Sequence, residues 1–289
     1  MFRRISIGVA VLLLAGIAYN WSTIRSVWRV MHPKLEYETQ AVALPGNLGR
    51  PAVLLFTKTN GFRHDEGIPA GVALIESIAK ERGWSVFHTE SGAVFTPENL
   101  ARFDVVVWHQ VSGDVLNDLQ KEALKRWIEA GGGWVGVHGT GGDRSYVWPW
   151  YRDVLIGAQF IGHPMGPQFQ DAALRVEDRA HPATAQLPES FVHNEEWYSF
   201  DQSVRGKGYR VLATVDESSY SPLVKLFGSE TDLHMGADHP VIWSHCVGRG
   251  RVIYSALGHQ AKAYALPEMR HLLEGAIGWA ARLAGEGCE

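Results

Sequence analysis

The sequence has very little cysteine, and this scarcity excludes several classes of site. Its 289 residues include only two cysteines, Cys246 and Cys288. Two residues so far apart cannot form a CxxC metal site or the disulfide framework of a small secreted domain. A single disulfide between them remains an alternative if the chain is exported. However, Cys288 lies beside the C-terminus, where ordered structure is uncommon. We therefore interpret both cysteines as incidental and expect cysteine to have no role in any activity.

An excess of basic charge is also absent. The chain has 27 lysines and arginines against 31 aspartates and glutamates, a formal net charge of −4. Such a balance gives no basic field for a phosphate backbone, so the sequence argues against nucleic-acid binding. Hydrophobic residues make up 46% of the chain and tryptophan occurs 11 times, which fits a globular domain with a large core.

The hydrophobic run at the N-terminus is short for a membrane-spanning helix. Arg3 and Arg4 precede an uncharged run from Ile5 to Tyr19, which is the order found in signal peptides. A spanning helix needs about 20 apolar residues, so residues 1–21 are predicted to be either a signal peptide or a membrane anchor. Positive charge before the run predicts an exported body, anchored in the inner membrane or released to the periplasm or medium. The alternative is a buried N-terminal helix.

Downstream, the sequence predicts a connector over residues 22–49, one α/β domain over 50–284 and a short tail over 285–289. In the first half of the domain, buried apolar runs alternate with segments of helical spacing, and this βαβ rhythm predicts a doubly wound parallel sheet. Strands are predicted at Ala52–Phe56, Ser85–His88, Asp104–Trp108 and Trp134–Val137, and helices at Ile68–Arg82 and Val115–Ala130. After His163 come added strands at Ala172–Val176, Tyr209–Thr214, Val241–His245 and Val252–Ala256, then a last helix, Pro267–Leu283.

Histidines follow four of the predicted strands: His64, His109, His138 and His259. Because ligands of open α/β sheets bind at the carboxyl ends of the strands, we expect these side chains to share one edge. His138 heads a glycine-rich turn, residues 139–142, whose backbone N–H groups would be free to bind an anion or a sugar oxygen. A lone histidine at a strand end is more often a hydrogen-bonding structural residue, and for His138 that alternative stays open.

Two further segments are dense in polar and aromatic residues. The stretch His193–Tyr198 places Glu195 and Glu196 beside an aromatic pair, and Met235–Pro240 contains His239. Paired carboxylates suit acid–base chemistry when burial separates their pKa values. Since neighbouring residues in a strand point to opposite faces, only one of the two glutamates is expected to face the site. The alternative is a solvated pair.

Short motifs across nearly the whole domain resemble the ThuA-like (trehalose utilisation) family. They are Gly61–His64, Gly113–Asn117, Gly131–His138, Trp148–Tyr151, Glu196–Tyr198, Asp238–Pro240 and Ala256–His259. The resemblance implies a flavodoxin-like sandwich related to class I glutamine amidotransferases. It also implies a role in sugar metabolism, on trehalose and related glycosides, including 3-keto derivatives made by partner dehydrogenases. His109 stands where relatives often have another residue, so we discount it as catalytic.

An enzyme acting on a glycoside or keto-sugar is the leading hypothesis. We predict catalytic roles for His138, His64, His259 and Glu196, with His138 at the centre, either by proton transfer or around a divalent metal such as zinc. Substrate-binding roles are predicted for Arg63, Asp143, Trp148, Trp150, Trp197, Tyr198 and His239.

A non-catalytic carbohydrate-binding module is the competing hypothesis. It would use the tryptophans and Tyr198 as stacking surfaces, although core packing is the plainer explanation of such aromatic residues. A glutamine amidotransferase is excluded, because it needs a cysteine nucleophile at a strand–helix turn, and Cys246 lies in a late predicted strand. The sequence identifies neither the substrate nor the oligomeric state.

Overall fold

The computed structural model describes residues 35–144, 148–226 and 228–288, together with 14, 16, 21, 24, 25, 28 and 31–33. The predicted signal peptide or anchor, residues 1–21, lies almost entirely outside the described residues. Within the described part of the chain, no helix is long and apolar enough to cross a membrane. Export and anchoring therefore stay predictions.

Five parallel strands form the first half of the central sheet. They are β1 (Ala52–Phe56), β2 (Ser85–Thr89), β3 (Val105–His109), β4 (Gly133–Val137) and β13 (Gly250–Ser255). Their order across the sheet is β2-β1-β3-β4-β13, which is the flavodoxin-like order. All of them except β2 are buried along their whole length, as expected of parallel strands covered on both faces.

Antiparallel strands extend this sheet on one side. They are β6 (Gln170–Val176), β7 (Ser190–Glu195), β9 (Arg210–Val215) and β12 (Pro240–Val247). They follow β13 in the order β12-β9-β6-β7 and complete a nine-stranded sheet. Two short pairs lie apart: β5 (Phe160–Gly162) with β8 (Ser199–Phe200), and β10 (Leu223–Leu226) with β11 (Ser229–Asp232). The predicted doubly wound sheet with added C-terminal strands is confirmed.

Helices cover the parallel half. They are α1 (Gly67–Arg82), the single turn α2 (Pro97–Leu100), α3 (Asp118–Glu129) and α4 (Pro267–Ala280). From β1 to β2 the chain moves toward one edge of the sheet, whereas from β3 to β4 it moves in the opposite direction, toward β13. Because both crossovers are right-handed, α1 and α3 lie on opposite faces of the sheet. The α3 helix starts later than the predicted Val115, because Asn117 and Gln120 exchange hydrogen bonds in a capping box.

The connector packs on the domain instead of leading away from it. The Tyr37 hydroxyl donates to Asp114 over 2.9 Å, and the Lys58 ammonium lies 2.6 Å from a Glu38 carboxylate oxygen. Val42 and Leu44 lie against the hydrophobic core. Ordered packing thus begins upstream of the predicted domain start near residue 50.

The C-terminal tail folds back onto the sheet. Cys246 and Cys288 form a disulfide, so the interpretation of both cysteines as incidental is wrong for the structure. The Arg251 guanidinium donates to the carbonyls of Trp279 and Ala284 over 2.9 and 3.2 Å. These contacts hold a segment that the sequence predicted to be poorly ordered.

Candidate functional site

Three histidines meet at the carboxyl ends of the parallel strands. The ring centres of His64 and His138 are 5.0 Å apart, those of His64 and His259 4.5 Å, and those of His138 and His259 5.0 Å. Each residue follows a different strand: β1, β4 and β13. The predicted convergence of these side chains is therefore confirmed, and their catalytic roles remain predictions.

His138 is the most deeply buried histidine of this group. It follows β4 directly with a backbone φ of 46°, an uncommon conformation for a residue with a side chain. Its Nδ1 lies 2.7 Å from the Ala256 carbonyl, and because a carbonyl only accepts, Nδ1 carries the proton. In the neutral ring Nε2 then accepts from the Tyr198 hydroxyl over 2.9 Å, and it lies 3.1 Å from His259 Nδ1.

Glu196 joins the imidazoles. Its Oε2 lies 2.9 Å from His259 Nδ1 and 3.6 Å from His138 Nε2, and its Oε1 lies 3.2 Å from His163 Nδ1. Burial alone would raise the pKa of Glu196, but the neighbouring imidazoles of His138 and His259 hold it well below its ordinary value. We call His64, His138, Glu196 and His259 the histidine–glutamate cluster.

Two histidines of the cluster have pKa values shifted in opposite directions. Burial and the neighbouring imidazoles hold the pKa of His64 well below its ordinary value, so this ring is neutral near pH 7. Burial also lowers the pKa of His259, but the hydrogen bond and the charge of Glu196 outweigh it and raise the pKa overall. Titratable neighbours with pKa values pushed apart are the usual arrangement of an acid–base pair.

Glu195 turns away from the cluster and binds backbone. Its carboxylate accepts from the N–H groups of Gly258, His259 and Glu196 over 2.6, 3.2 and 2.9 Å. Both glutamates are buried, so the alternative of a solvated pair is wrong. As expected, only Glu196 faces the other charged groups of the site.

A cavity of about 590 Å³ opens over the cluster. His64, His259, Glu196 and Tyr198 line it, whereas His138 lies fully buried behind them. Three phenylalanines give it apolar walls: Phe62, Phe160 and Phe169. The Phe169 ring lies 4.9 Å from that of His259. The volume falls within the range of small-molecule pockets.

Comparison with known proteins identifies the family. The chain matches the ThuA family, described as trehalose utilisation, over residues 52–280. It belongs to this family. A ThuA-like protein from Bacteroides uniformis ATCC 8492 has a similar structure, with a TM-score of 0.68 at 25% identity, over 82% of this chain and 95% of that one. One from Parabacteroides merdae ATCC 43184 has a TM-score of 0.56 at 19% identity, over 80% and 89%. No protein of curated function matches in sequence.

The ThuA resemblance and the class I glutamine amidotransferase-like fold predicted from the sequence are thus confirmed. Two residues directly after buried strands have positive φ, as a nucleophile elbow would: Gln110 at 58° after β3 and His138 after β4. Neither is a cysteine, and both cysteines lie in the distant disulfide.

The predicted substrate-binding residues divide into two groups. Arg63, Asp143 and Tyr198 line the cavity of this ThuA protein. Trp148, Trp150, Trp197 and His239 do not line it. Trp197 is buried and donates to the Gln170 carbonyl over 2.9 Å, and Trp148 stacks on Tyr151. For these tryptophans, packing is the better explanation.

His239 lies behind Tyr198, which lines the cavity. Its Nε2 lies 2.8 Å from the Tyr198 carbonyl and its Nδ1 lies 2.7 Å from Glu217. Since His239 is fully buried, it supports the backbone of Tyr198 and has no path to a ligand.

His109, which we expected at the same sheet edge but discounted as catalytic, is not part of the cluster. Its Nε2 donates to the Gly67 carbonyl over 3.1 Å, and burial lowers the pKa of the ring to about 4. A neutral, buried histidine bonded to backbone fits a structural role.

Sequence reasoning missed the apolar walls and several polar contacts. Phe62 lies inside the Gly61–His64 motif, in which the sequence predicts roles only for Arg63 and His64. The loop of residues 163–169 supplies His163, Gln168 and Phe169, and the Gln168 amide donates to Glu196. No periodicity marks this loop, so its place beside the cluster had no signal in the sequence.

Proposed function

We propose that this ThuA-family chain is an enzyme that acts on a trehalose-related glycoside or keto-sugar at the histidine–glutamate cluster. One observation carries the proposal: two imidazoles with oppositely shifted pKa values share the floor of a cavity with a buried carboxylate. The family's description, trehalose utilisation, supports a sugar as the substrate.

Proton transfer follows from these shifts. His64 is neutral near pH 7 and is the candidate base, while Glu196 favours the protonated form of His259, which is the candidate acid. The Phe62 and Phe169 rings offer apolar faces on which a sugar ring would pack. Arg63 and Asp143 reach the same cavity and would bind hydroxyl groups.

The test combines turnover with binding. Trehalose, other glycosides and their 3-keto derivatives are incubated with the purified chain and followed by NMR, and affinities are measured by calorimetry. We expect His259→Gln to lower turnover by about 10²-fold or more while binding persists. The control His245→Gln changes a half-buried histidine outside the cluster, which stacks on Tyr209, and should leave turnover unchanged. Sugar binding lost with Phe62→Ala, without turnover of any sugar by the wild type, would support the binding module instead.

A bound divalent metal is a second candidate for the chemistry of this site. The four ligand atoms of the cluster all lie within 4.8 Å of one another. Separations of 2.9, 3.1 and 3.6 Å among Glu196, His138 and His259 fit tetrahedral zinc, whose ligands stand about 3.3 Å apart. Nδ1 of His64 is buried and has no hydrogen-bond partner among the described residues. Residues and metal therefore fit.

When bound, zinc would polarise a substrate oxygen or activate water. Elemental analysis of protein purified without a histidine tag tests this candidate. One equivalent of zinc that is lost in His64→Gln supports the metal form. If the wild-type protein stays free of metal after incubation with zinc and still turns substrate over, proton transfer without a metal is the mechanism that remains.

We also propose that the chain works outside the cytoplasm, anchored or released. The charged and apolar order of residues 3–19 supports export, and a disulfide is the kind of bond that persists in oxidising compartments. A reporter enzyme that works only outside the cytoplasm should be active when it is fused after Gly49, and one that works only in the cytoplasm should be inactive. Activity confined to a cytoplasmic reporter would refute the proposal.

A further inference from the structure

Both backbone polar groups of Gly258 are bound by buried side chains that do not line the cavity. Glu195 accepts from the Gly258 N–H over 2.6 Å, and from the next N–H, that of His259, over 3.2 Å. Gln110 donates its amide N–H to the Gly258 carbonyl over 2.6 Å. The turn that carries His259 is therefore bound through both its N–H and its carbonyl groups.

Gln110 also reaches the turn after β4. Its Oε1 accepts from the Gly139 N–H over 3.1 Å, so one amide joins the turns that hold His138 and His259. Gln110 is fully buried with a φ of 58°, a conformation that costs free energy for a residue with a side chain. Buried polar side chains whose hydrogen bonds are all made hold the neighbouring backbone in one conformation.

The turn has no room for a side chain at Gly258. Gly258 has a φ of 118°, and a Cβ there would lie 2.4 Å from the Tyr264 hydroxyl oxygen. That hydroxyl donates to the Gly258 carbonyl over 2.6 Å. The next residue, His259, has its Nδ1 at 2.9 Å from Glu196.

We propose that Glu195 and Gln110 are positioning residues, which fix the His259 imidazole against Glu196 and His138. The catalytic meaning of this placement rests on the proposed function, whereas the placement itself does not. Glu195 is the sharper of the two to test. Its two oxygens accept three backbone N–H groups, so an amide in its place must point N–H at N–H in either orientation.

The experiment compares Glu195→Gln with Glu38→Gln in the full chain. Glu38 is a matched control, because it also accepts a backbone N–H, from Gly92, but lies in the connector. The charge of Glu195 helps to raise the pKa of His259, so the first readout is the imidazole ¹⁵N chemical shifts of His259 on the acid plateau of its titration. There a change in pKa cannot move the signals, and they report the hydrogen bond to Glu196. We expect Glu195→Gln to move these signals and Glu38→Gln to leave them in place.

The second readout is turnover, or zinc affinity where zinc is bound. Partners that orient a site residue are typically worth about 10- to 100-fold, and we expect a loss of that size in Glu195→Gln only. Wild-type His259 signals in a folded Glu195→Gln protein would overturn the inference, as would equal changes in the control.

A second variant, Gln110→Met, covers the case in which Glu195→Gln does not fold. It removes the donor to the Gly258 carbonyl and should move the same His259 signals; unchanged signals there also overturn the inference. A wild-type protein that converts no sugar would refute the proposed function. The ¹⁵N comparison would then decide the positioning inference by itself.

Discussion

At the scale of single residues, the environment of each imidazole determines what it can do. His64 and His259 have the same side chain and share one cavity, yet only His259 contacts a carboxylate. That contact raises the pKa of His259 while burial lowers the pKa of His64. Changing Glu196 should therefore affect both the charge and the position of His259.

His138 connects the cavity-facing residues to the sheet behind them. His138→Gln removes a ring that accepts from Tyr198 and donates to Ala256. We expect a folded variant whose turnover is lower by about 10²-fold, because the Tyr198 hydroxyl and His259 lose their partner. Enzyme assays and circular dichroism on purified protein check this.

His109→Gln is the matched control for that prediction. His109 is equally buried at the end of the neighbouring strand, but it bonds only to backbone. Its replacement should lower stability more than turnover. Full turnover in His138→Gln would show that His138 only binds the Ala256 carbonyl and is structural.

Sequence alone located the histidines of the site but not its walls. Each histidine follows an apolar strand, and parallel strands end at one edge, so the convergence was predictable. Phe169 reaches the cavity from a loop without periodicity, and Phe160 from the three-residue strand β5, which is too short to show one. The Glu195–Gly258 contact joins residues 63 positions apart, and no local pattern indicates such a pair.

At the scale of elements, the helices that flank the site depend on their ends. Asn117 caps α3, and its side chain accepts from the Gln120 N–H over 3.0 Å. Asn117→Ala should lower the free energy of unfolding by about 1 kcal/mol, because it leaves that N–H without its acceptor. Urea denaturation measures the change.

Asn117→Asp is the conservative partner of this variant. It keeps an acceptor at the cap and adds a negative charge near a helix N-terminus, so stability should stay close to that of the wild type. Equal losses in both variants would show that the cap contributes through packing and not through its hydrogen bond.

Buried elements were more predictable than exposed ones. The predicted β1 has the observed limits, since an apolar run between turn residues has few alternatives. The exposed pair β10 and β11 has no alternating pattern, and the two-residue β8 is too short for one. These strands form because tertiary contacts hold them, and sequence spacing does not carry that information.

At the scale of the whole molecule, the order of the strands along the sequence differs from their order across the sheet. The strand that carries His259 to the site, β13, is the last in sequence but lies beside β4 in the centre of the sheet. Its pairing with β12 in a hairpin was predictable from the Gly248–Gly250 turn. Its insertion next to β4 follows from the fold family and not from any local feature.

The disulfide ties the tail to this central region. It joins residues 42 positions apart, and the chain-entropy relation assigns such a loop about 4 kcal/mol of stability. Replacing Cys246 and Cys288 by Ser should lower the free energy of unfolding by up to about this amount while turnover at 25 °C stays nearly unchanged. Thermal denaturation and enzyme assays check both halves.

Reduction of the wild-type protein is the control for that substitution. A reductant should destabilise the wild type to the level of the double variant and leave the variant unaffected. Turnover that disappears in a folded double variant would contradict the expectation that cysteine has no role in activity.

The central claim is that His64 and His259 work as a base and an acid, and the pH profile of kcat/KM tests it most directly. His64 must be neutral, so activity should rise with pH through a limb below the ordinary histidine value of 6.5. His259 must be protonated, so activity should fall through a limb above 6.5. The account predicts a bell-shaped profile whose acid limb disappears in His64→Gln and whose alkaline limb disappears in His259→Gln. A flat profile, or limbs that stay in place in both variants, would contradict it.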